Sequence, residues 1–277
     1  MSTSKSKYKE KFNLTNKTAV VTGGTGFLGR HFCFGLAEHG AKVAVVDLDG
    51  GITSELAREI ASRYGTKSVG YECDVGAADS VKKMTKDVVT DFGAIDILMN
   101  NAATRPKDLD SFFAPIEEYS IETWREVMSV NIDGIFLVAQ SVGRQMVKQK
   151  RGGSIIQTSS IYGVMGPDHR IYEGSYHLGR QINTPVVYAA SKGAVIALTK
   201  YLATYWAEKG VRVNSLSPGG VENGQNQKFI KNYSNRIPMN RMALPEEMVG
   251  ALIYLASDAS SYATGQNIIV DGGLSAW

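Results

Sequence analysis

Thr18-Ala-Val-Val-Thr-Gly-Gly-Thr-Gly-Phe-Leu-Gly29 is the stretch that decides the fold of this chain. Its first five residues are mostly apolar or β-branched, which predicts a buried strand over 18–22. Glycines follow at once, and residues 27–40 have the pattern of a helix that ends at a glycine. Glycines between a strand and a helix let backbone amides approach a diphosphate, and the helix N-terminus favours its negative charge. An ordinary glycine-rich turn is the alternative, but the flanking strand and helix favour a diphosphate site.

A second predicted strand closes this unit and ends in an acid. Residues 42–47 read Lys-Val-Ala-Val-Val-Asp, so Asp47 lies at the carboxyl end of the strand. A carboxylate there can accept hydrogen bonds from ribose hydroxyls, and it repels a 2′-phosphate. The sequence therefore favours NAD over NADP. Arg30 is the competing signal for NADP, but it lies beyond the turn, inside the predicted helix.

The rest of the chain continues the alternation of short apolar strands and helices. Further strands are predicted at 68–73, 95–99, 153–158, 211–215 and 267–270, and further helices at 53–64, 77–92, 121–130, 132–149, 188–209 and 245–257. This order predicts an α/β fold, a single Rossmann-type three-layer domain with about seven parallel strands and helices on both faces. Residues 160–187 and 218–240 lack clear periodicity and are predicted as long loops. No linker or repeat divides residues 15–277.

The composition limits the classes of function. The 277 residues are 43% hydrophobic and 21% charged, as in a soluble globular protein, and no apolar run approaches the length of a membrane span. The net charge of +3 equals the excess of four lysines over one glutamate in residues 1–12. We therefore interpret residues 1–14 as a basic, flexible arm, which is not the footprint of a nucleic-acid or membrane partner. Cys33 and Cys73 have no metal-binding spacing, which indicates a reducing cytoplasm and no metal.

Tyr188 and Lys192, in the stretch Tyr-Ala-Ala-Ser-Lys, are the candidate acid–base pair. Four positions apart in a helix, their side chains lie on one face. A free tyrosine has a pKa near ~10, too high for acid–base chemistry at neutral pH, and an adjacent ammonium lowers that pKa. Such pairs also occur by chance, so the rest of the sequence has to decide between the two interpretations.

Along residues 15–273 the chain resembles the short-chain dehydrogenase/reductase family. Eight motifs stand in the order that this family has: Thr22-Gly23 to Gly29; Cys73-Asp74-Val75; Asn100-Asn101-Ala102-Ala103; Val130-Asn131; Ser159-Ser160; Tyr188-Ala-Ala-Ser-Lys192; Ser217-Pro218-Gly219-Gly220; and Val270-Asp271-Gly272-Gly273. Each motif is weak alone, but eight in order, each at a predicted strand end or helix, are specific.

The resemblance implies a hydride transfer between NAD(H) and a secondary alcohol or ketone, with the cofactor supplying the redox chemistry. It makes Tyr188 the acid/base and Lys192 the residue that lowers its pKa and holds the nicotinamide ribose. It makes Ser160, with Ser159 as second choice, the donor to the substrate oxygen, and Asn131 the anchor of a proton-relay water. The implied cofactor-binding residues are Gly23, Thr25, Gly26, Phe27, Leu28, Gly29, Asp47, Leu48, Asp74, Val75, Asn101, Ala102, Ala103, Tyr188, Lys192, Pro218, Gly219 and Val221.

The sequence departs from the compact branch of that family in three places. Its glycines read TGxxGxxG, with Phe27 where the compact branch usually has a glycine, which predicts a slightly altered diphosphate turn. The gap between Ser160 and Tyr188 is longer than usual and implies an insertion within residues 161–187. Asn223 stands where the family often has a threonine that binds the nicotinamide amide.

The insertion is also the main clue to the substrate. Its charged and aromatic residues, and the polar residues of 222–235, favour a sugar, a sugar acid or another polar polyol, although a purely structural or interface loop is also consistent with them. The alternatives are a 3-ketoacyl thioester reductase, a steroid-type alcohol dehydrogenase and, with less support, a dinucleotide-binding regulator without catalysis. The predicted helices at 132–149 and 188–209 are apolar around much of their surfaces. Together with the resemblance, they predict a homodimer or homotetramer.

Overall fold

A seven-stranded parallel sheet forms the centre of the computed structural model, which describes residues 7–177 and 179–277. The sheet strands are β1 (Thr18–Thr22), β2 (Lys42–Asp47), β3 (Ser68–Glu72), β4 (Ile97–Asn100), β5 (Gly153–Thr158), β8 (Val211–Pro218) and β9 (Asn267–Val270), and β6 (Tyr176–His177) and β7 (Arg180–Gln181) form a separate antiparallel hairpin. Their spatial order is β3-β2-β1-β4-β5-β8-β9. The predicted Rossmann-type α/β fold is confirmed.

The described residues form nine α-helices, most of which pack on the two faces of this sheet. They are α1 (Phe27–Glu38), α2 (Gly50–Tyr64), α3 (Ala78–Phe92), α4 (Leu109–Phe112), α5 (Ile121–Met128), α6 (Ile135–Gln149), α7 (Val186–Trp206), α8 (Gln227–Ser234) and α9 (Val249–Ala256). A π-helical segment, Ser129–Gly134, joins α5 to α6 without a break. No helix among the described residues is both long enough and apolar enough to cross a membrane.

The sheet is buried on both sides because alternate side chains of each strand enter different cores. Val21 of β1 packs with Leu36 of α1 and Leu252 of α9 on one face. The neighbouring residue, Val20, packs with Val142 of α6 on the other face. Two apolar layers therefore hold the sheet rigid between the helices.

The two halves of the sheet meet between the neighbouring strands β1 and β4. Thr22 at the end of β1 is in register with Val46 of β2 on one side and with Asn100 of β4 on the other. The connections after β1 and β4 lead to opposite faces, which opens a crevice at the carboxyl ends of these two strands. The predicted glycine turn lies at this crevice.

The predicted N-terminal arm is only partly described. Residues 1–6 lie outside the described residues, and Lys9–Phe12 form a 3-10 helix. Leu14 is 1% exposed and belongs to the core on the α1 face. The packed part of the chain therefore includes Leu14, which the predicted boundary had assigned to the arm.

Candidate active site

The pair Tyr188 and Lys192 lies in the first two turns of α7, which follows Pro185. The Lys192 ammonium lies 5.7 Å from the centre of the Tyr188 ring. It also donates a hydrogen bond to the carbonyl oxygen of Thr158 at the end of β5, at 3.0 Å. Lys192 is 3% exposed and Tyr188 is partly buried. The two side chains therefore share one face of the helix and point towards the carboxyl edge of the sheet.

The pKa of Tyr188 does not move in the direction predicted from the sequence. Burial raises the pKa of the phenol above its ordinary value, and the hydrogen bond with Ser160 lowers it by less. Burial also lowers the pKa of Lys192 to about 8. The prediction that the ammonium brings the tyrosine pKa down is wrong for the protein alone, because both groups are desolvated and the ammonium is bound to a carbonyl.

The two candidate serines have different partners. The Ser159 hydroxyl donates to the backbone carbonyl of Lys192 at 2.7 Å, so it fixes β5 to α7. Ser160 is 6% exposed, and its hydroxyl accepts from the Tyr162 amide at 3.2 Å and hydrogen-bonds with the Tyr188 side chain. Ser160 is therefore the serine that meets the tyrosine.

Asn131 lies in the π-helical segment and is 1% exposed. Its Oδ1 accepts from the Thr104 amide at 2.8 Å, which connects it to the loop after β4. Its Nδ2 is buried and has no hydrogen-bond partner among the described residues. A buried donor of this kind is where an ordered water or a ligand group belongs.

The glycine turn between β1 and α1 is compact and tied to β4. Gly23 has φ +61°, and a Cβ on Gly29 would lie 1.9 Å from the carbonyl oxygen of Gly23. The Thr22 hydroxyl accepts from the amides of Asn101 and Ala102 at 3.0 and 3.1 Å. These contacts hold the turn at the crevice, where only glycine fits the close approach.

The Asp47 carboxylate is hydrogen-bonded to the glycine turn itself. One carboxylate oxygen accepts from the amide and the hydroxyl of Thr25, at 3.0 and 2.5 Å, and the other accepts from the Leu48 amide at 2.9 Å. The sequence predicted this acid as a partner of ribose hydroxyls and missed its contact with Thr25. A carboxylate offers about four acceptor positions, so capacity for a ribose remains. Arg30, the competing signal, pairs with Glu59 at 2.9 Å.

The other predicted cofactor residues lie along the same carboxyl edge. Phe27 and Leu48 are 38% and 67% exposed, Asp74 is exposed and Val75 is buried. Pro218 ends β8, and Gly219 donates to the carbonyl of Val270 at 2.8 Å. The remaining members are Gly26 and Leu28 at the start of α1, Ala103 in the loop after β4, and Val221, which bridges to Ala243.

A cleft of about 470 Å³ opens beside Tyr188. Its lining comes from the loop after β4, from the long 161–187 segment and from the start of α7: Ala103, Thr104, Arg105, Phe112, Tyr162, Tyr172, Asn183, Thr184, Pro185 and Tyr188. Arg105 is exposed and has no acidic partner among the described residues. Arg105 was not among the residues predicted from the sequence, although its position just after the Asn-Asn-Ala-Ala motif could have signalled that it lines the cleft.

The described part of the 161–187 segment packs against α8 and the C-terminus. Ile171, Tyr172, Phe229, Tyr233 and Leu274 share one small apolar core beside the cleft. The described residues between Ser160 and α7 therefore form a cap together with α8, and we call residues 161–177, 179–184 and 227–237 the cap.

Comparison with known proteins identifies the family. A family model described as enoyl-(acyl carrier protein) reductase matches residues 27–275. The 2-dehydro-3-deoxy-D-gluconate 5-dehydrogenase of Pseudoalteromonas atlantica is 34% identical over 270 residues, covering 95% of this chain and 98% of that protein. The chain belongs to the short-chain dehydrogenase/reductase family. The resemblance drawn from the eight sequence motifs is confirmed.

Other members of the short-chain dehydrogenase/reductase family are similar over nearly their whole length. The D-threitol dehydrogenase of Mycolicibacterium smegmatis is 33% identical, with 95% of this chain and 94% of that protein covered. The 3-oxoacyl-(acyl-carrier-protein) reductase of Aquifex aeolicus is 34% identical, with 94% and 98% covered. The matched relatives therefore include both a sugar-type alcohol dehydrogenase and an acyl thioester reductase.

Two solved short-chain dehydrogenase/reductase structures hold different dinucleotides. A gluconate 5-dehydrogenase from Burkholderia cenocepacia J2315, in complex with NADP and tartrate, superimposes with a TM-score of 0.84 at 32% identity over 97% of this chain and 98% of that one. An NAD⁺-bound xylitol dehydrogenase superimposes with a TM-score of 0.82 at 31% identity over 95% and 100%. Either dinucleotide is thus found on this fold in relatives of similar distance.

The chain's own residues fit a dinucleotide at the crevice. Gly26, the N-cap of α1, is exposed and no side chain caps the helix there, and a diphosphate is favoured at such a helix start. The unpartnered Asn131 amide, the Lys192 ammonium and the Tyr188 phenol lie at the other end of the same carboxyl edge. The short-chain dehydrogenase/reductase fold thus places the glycine turn and the Tyr188–Lys192 pair along the same edge of the sheet.

Proposed function

We propose that this protein is an NAD(H)-dependent oxidoreductase that interconverts a secondary alcohol and a ketone on a sugar, a sugar acid or another polar polyol. The observation that carries the proposal is the arrangement around Tyr188. The Lys192 ammonium lies 5.7 Å from the centre of its ring, and Ser160 hydrogen-bonds with its hydroxyl. That arrangement supplies a proton donor and acceptor in a cleft next to a diphosphate-binding turn.

In this proposal each residue has one task. A bound nicotinamide supplies the hydride chemistry. Tyr188 exchanges a proton with the substrate oxygen, and Ser160 donates a hydrogen bond to that same oxygen. Lys192 holds the nicotinamide ribose through its ammonium group. Asn131 uses its free amide to hold the water that returns protons to Lys192.

The substrate class is supported by a few charged and hydrogen-bonding groups that line the cleft. Arg105 brings a cation without an acidic partner among the described residues, and Thr104, Asn183 and Thr184 bring neutral hydrogen-bonding groups. A sugar acid presents a carboxylate and several hydroxyls to such a surface, and guanidinium is well suited to bind carboxylate. The threitol, xylitol and gluconate dehydrogenases among the relatives are consistent with this class.

A 3-ketoacyl thioester reductase is the second candidate. The observation in its favour is the 34% identity to the reductase of Aquifex aeolicus, together with the description of the matching family model. A steroid-type substrate would leave the buried acceptor of Asn183 without a hydrogen-bond partner. A regulator without catalysis would not need the Tyr188, Lys192, Ser160 and Asn131 set.

A substrate panel separates these candidates. The purified protein is given NAD⁺ or NADP⁺ with D-gluconate, xylitol, D-threitol and mannitol, and given NADH or NADPH with acetoacetyl thioester, while absorbance of the reduced nicotinamide is followed. We expect turnover with at least one polyol or sugar acid and NAD⁺. Turnover with the thioester alone would overturn the sugar proposal, and no turnover with any member would favour the regulator.

The preference for NAD is proposed to depend on Asp47. Replacing Asp47 with alanine removes the charge that repels a 2′-phosphate, and it also frees Thr25, so the ratio of kcat/KM for NAD⁺ over NADP⁺ should fall by about 10-fold. Asp49, which caps α2 nearby, serves as the matched control, since Asp49→Ala should leave the ratio unchanged. A wild-type protein that already prefers NADP⁺ would contradict the interpretation of Asp47.

We also propose a cytoplasmic homo-oligomer. Tyr201 and Tyr205 of α7 are 65% and 58% exposed and stack on each other with ring centres 6.1 Å apart, and Phe136 of α6 is 41% exposed. An outward aromatic surface of this kind on two helices suits a contact with a second copy of the chain. The buried free thiols of Cys33 and Cys73 suit a reducing compartment.

A further inference from the structure

The cap brings a second tyrosine to the cleft. Tyr172 is 7% exposed, yet it lines the same 470 Å³ cleft as Tyr188. Its hydroxyl shares a hydrogen bond with Thr184 Oγ1 at 2.6 Å. Thr184 lies directly before Pro185, where α7 begins, so the hydroxyl of Tyr172 is fixed close to the catalytic helix.

The position of Tyr172 is set by α8. The Tyr172 ring stacks on Phe229 with ring centres 5.4 Å apart and planes 26° from parallel. Asn232 of α8 donates to the carbonyls of Ile171 and Glu173, at 3.2 and 3.1 Å, on either side of Tyr172. Asp168 pairs with Arg236 just beyond α8, at 3.3 Å. The residue is thus held from both sides and its hydroxyl has little freedom to turn away.

Two more tyrosine hydroxyls, those of Tyr162 and Tyr233, lie in the same hydrogen-bonded group as the Tyr172 hydroxyl. Tyr162 interacts through its hydroxyl with Tyr172 and with Tyr233, and Tyr162 also lines the cleft. Burial raises the pKa of all three phenols, so they remain neutral at physiological pH. Neutral hydroxyls both donate and accept, as the hydroxyl groups of a polyol do.

Asn183 adds an acceptor to the same wall. Its Nδ2 donates to the carbonyl of Phe113 at 2.9 Å, which fixes the orientation of the amide. Its Oδ1 is buried and has no hydrogen-bond partner among the described residues, and Asn183 lines the cleft. A buried acceptor without a donor destabilises the folded protein, and a substrate hydroxyl that reaches it would remove that cost.

We propose that Tyr172 and Asn183 are specificity-determining residues that bind hydroxyl groups of the substrate other than the reacting one. The proposal rests on the proposed function, and it names the residues that make the cleft selective for a polyhydroxylated molecule. A site built to hydrogen-bond a substrate hydroxyl discriminates strongly against analogues that lack it, because its own polar groups are then left unpaired.

The test compares Tyr172→Phe with Tyr176→Phe on the best polyol of the panel. Phenylalanine keeps the stack on Phe229 and removes only the hydroxyl, whereas Tyr176 is 61% exposed in the same segment and serves as control. We expect Tyr172→Phe to raise KM by at least ~10-fold, the scale of one hydrogen bond lost in a buried site, while kcat stays within ~3-fold. Tyr176→Phe should match the wild type, and calorimetry should give the same Kd for NAD⁺ in all three proteins.

Asn183→Leu is the second variant, because leucine nearly keeps the side-chain volume and removes the acceptor. It should also raise KM for the polyol, so the proposal remains testable if Tyr172→Phe does not fold. Unchanged KM in the folded variants, or a fall in kcat with KM unchanged, would overturn the proposal while the wild type still turns over polyols. A wild type that turns over no polyol at all would instead refute the proposed function, and this inference with it.

Discussion

Replacing Tyr188 with phenylalanine is expected to lower kcat by at least ~10²-fold, the scale of general acid–base catalysis, with the substrate identified by the panel. The variant removes the Tyr188 hydroxyl, which hydrogen-bonds with Ser160. The centre of the Tyr188 ring lies 5.7 Å from the Lys192 ammonium. The ring stays in place, so the Kd for the dinucleotide, measured by calorimetry, should change little. Tyr162→Phe is the matched control, because it removes another tyrosine hydroxyl from the same cleft. Tyr162 has no lysine four residues later, so its loss should not remove the proton donor.

The same tyrosine predicts a pH dependence. Burial raises the pKa of Tyr188 above its ordinary value of 10, so the phenolate that accepts a proton during alcohol oxidation is scarce at neutral pH. The oxidation rate of the wild type should therefore rise with pH from 7 to 10, by up to about 10-fold per unit. The residual rate of Tyr188→Phe should not rise in this way. A variant with near-normal turnover, or a wild-type profile that is flat over this range, would remove Tyr188 from the mechanism.

Strands whose residues are apolar and buried on both faces were predictable from the sequence. The predicted bounds of β1, β2 and β5 match the observed bounds, because strands such as Thr-Ala-Val-Val-Thr become stable when both faces are buried. The bounds of β9 match as well, although this edge strand is only partly buried. β4 was predicted at 95–99 but runs from Ile97 to Asn100. The polar Asn100 belongs to the strand because it donates to the Ile135 carbonyl at 2.8 Å and accepts from Thr22 at 3.2 Å. Local hydrophobicity does not report such long-range pairs.

Other differences also have long-range causes. β8 was predicted to end at Ser215, but it continues to Pro218 because Leu216, Ser217 and Pro218 pair with β9. A proline lowers the strand signal of a sequence, although it is tolerated at the end of a strand. The predicted break between two helices near Asn131 is a π-helical segment instead. Such segments are frequent at functional sites, and this one turns Asn131 inward.

The cap was the least predictable part of the site. Residues 160–187 and 218–240 were both predicted as long loops, and both hold short elements that form one apolar core. Each piece is too polar and too short to show periodicity alone, and only their contact makes Tyr172, Phe229 and Tyr233 buried. The sequence motifs therefore located the candidate acid–base pair and the glycine turn, whereas the walls of the cleft beside them depend on tertiary contacts.

Replacing Gly29 with alanine has the second large expected effect, because it acts on the turn that decided the fold. A Cβ at this position would lie 1.9 Å from the Gly23 carbonyl oxygen and 2.9 Å from Gly24 Cα, and both are backbone atoms that cannot rotate away. The turn has to open, which moves the amides at the start of α1 away from the diphosphate. We expect the Kd for NAD⁺, measured by calorimetry, to rise at least ~100-fold, equivalent to about 2.7 kcal/mol.

Two other glycines make the result specific to the close approach. A Cβ added at Gly250 of α9 would meet no atom within 4 Å among the described residues, so Gly250→Ala should bind NAD⁺ normally and be slightly more stable, by about 0.5–1 kcal/mol. A Cβ at Gly26 would lie 3.2 Å from the same Gly23 oxygen, so Gly26→Ala should lie between the two. If the contact with the Gly23 oxygen determines NAD⁺ affinity, the Kd should increase from the Gly250 variant to the Gly26 variant and then to the Gly29 variant. Normal NAD⁺ affinity in a folded Gly29→Ala protein would mean that the dinucleotide does not bind at this turn.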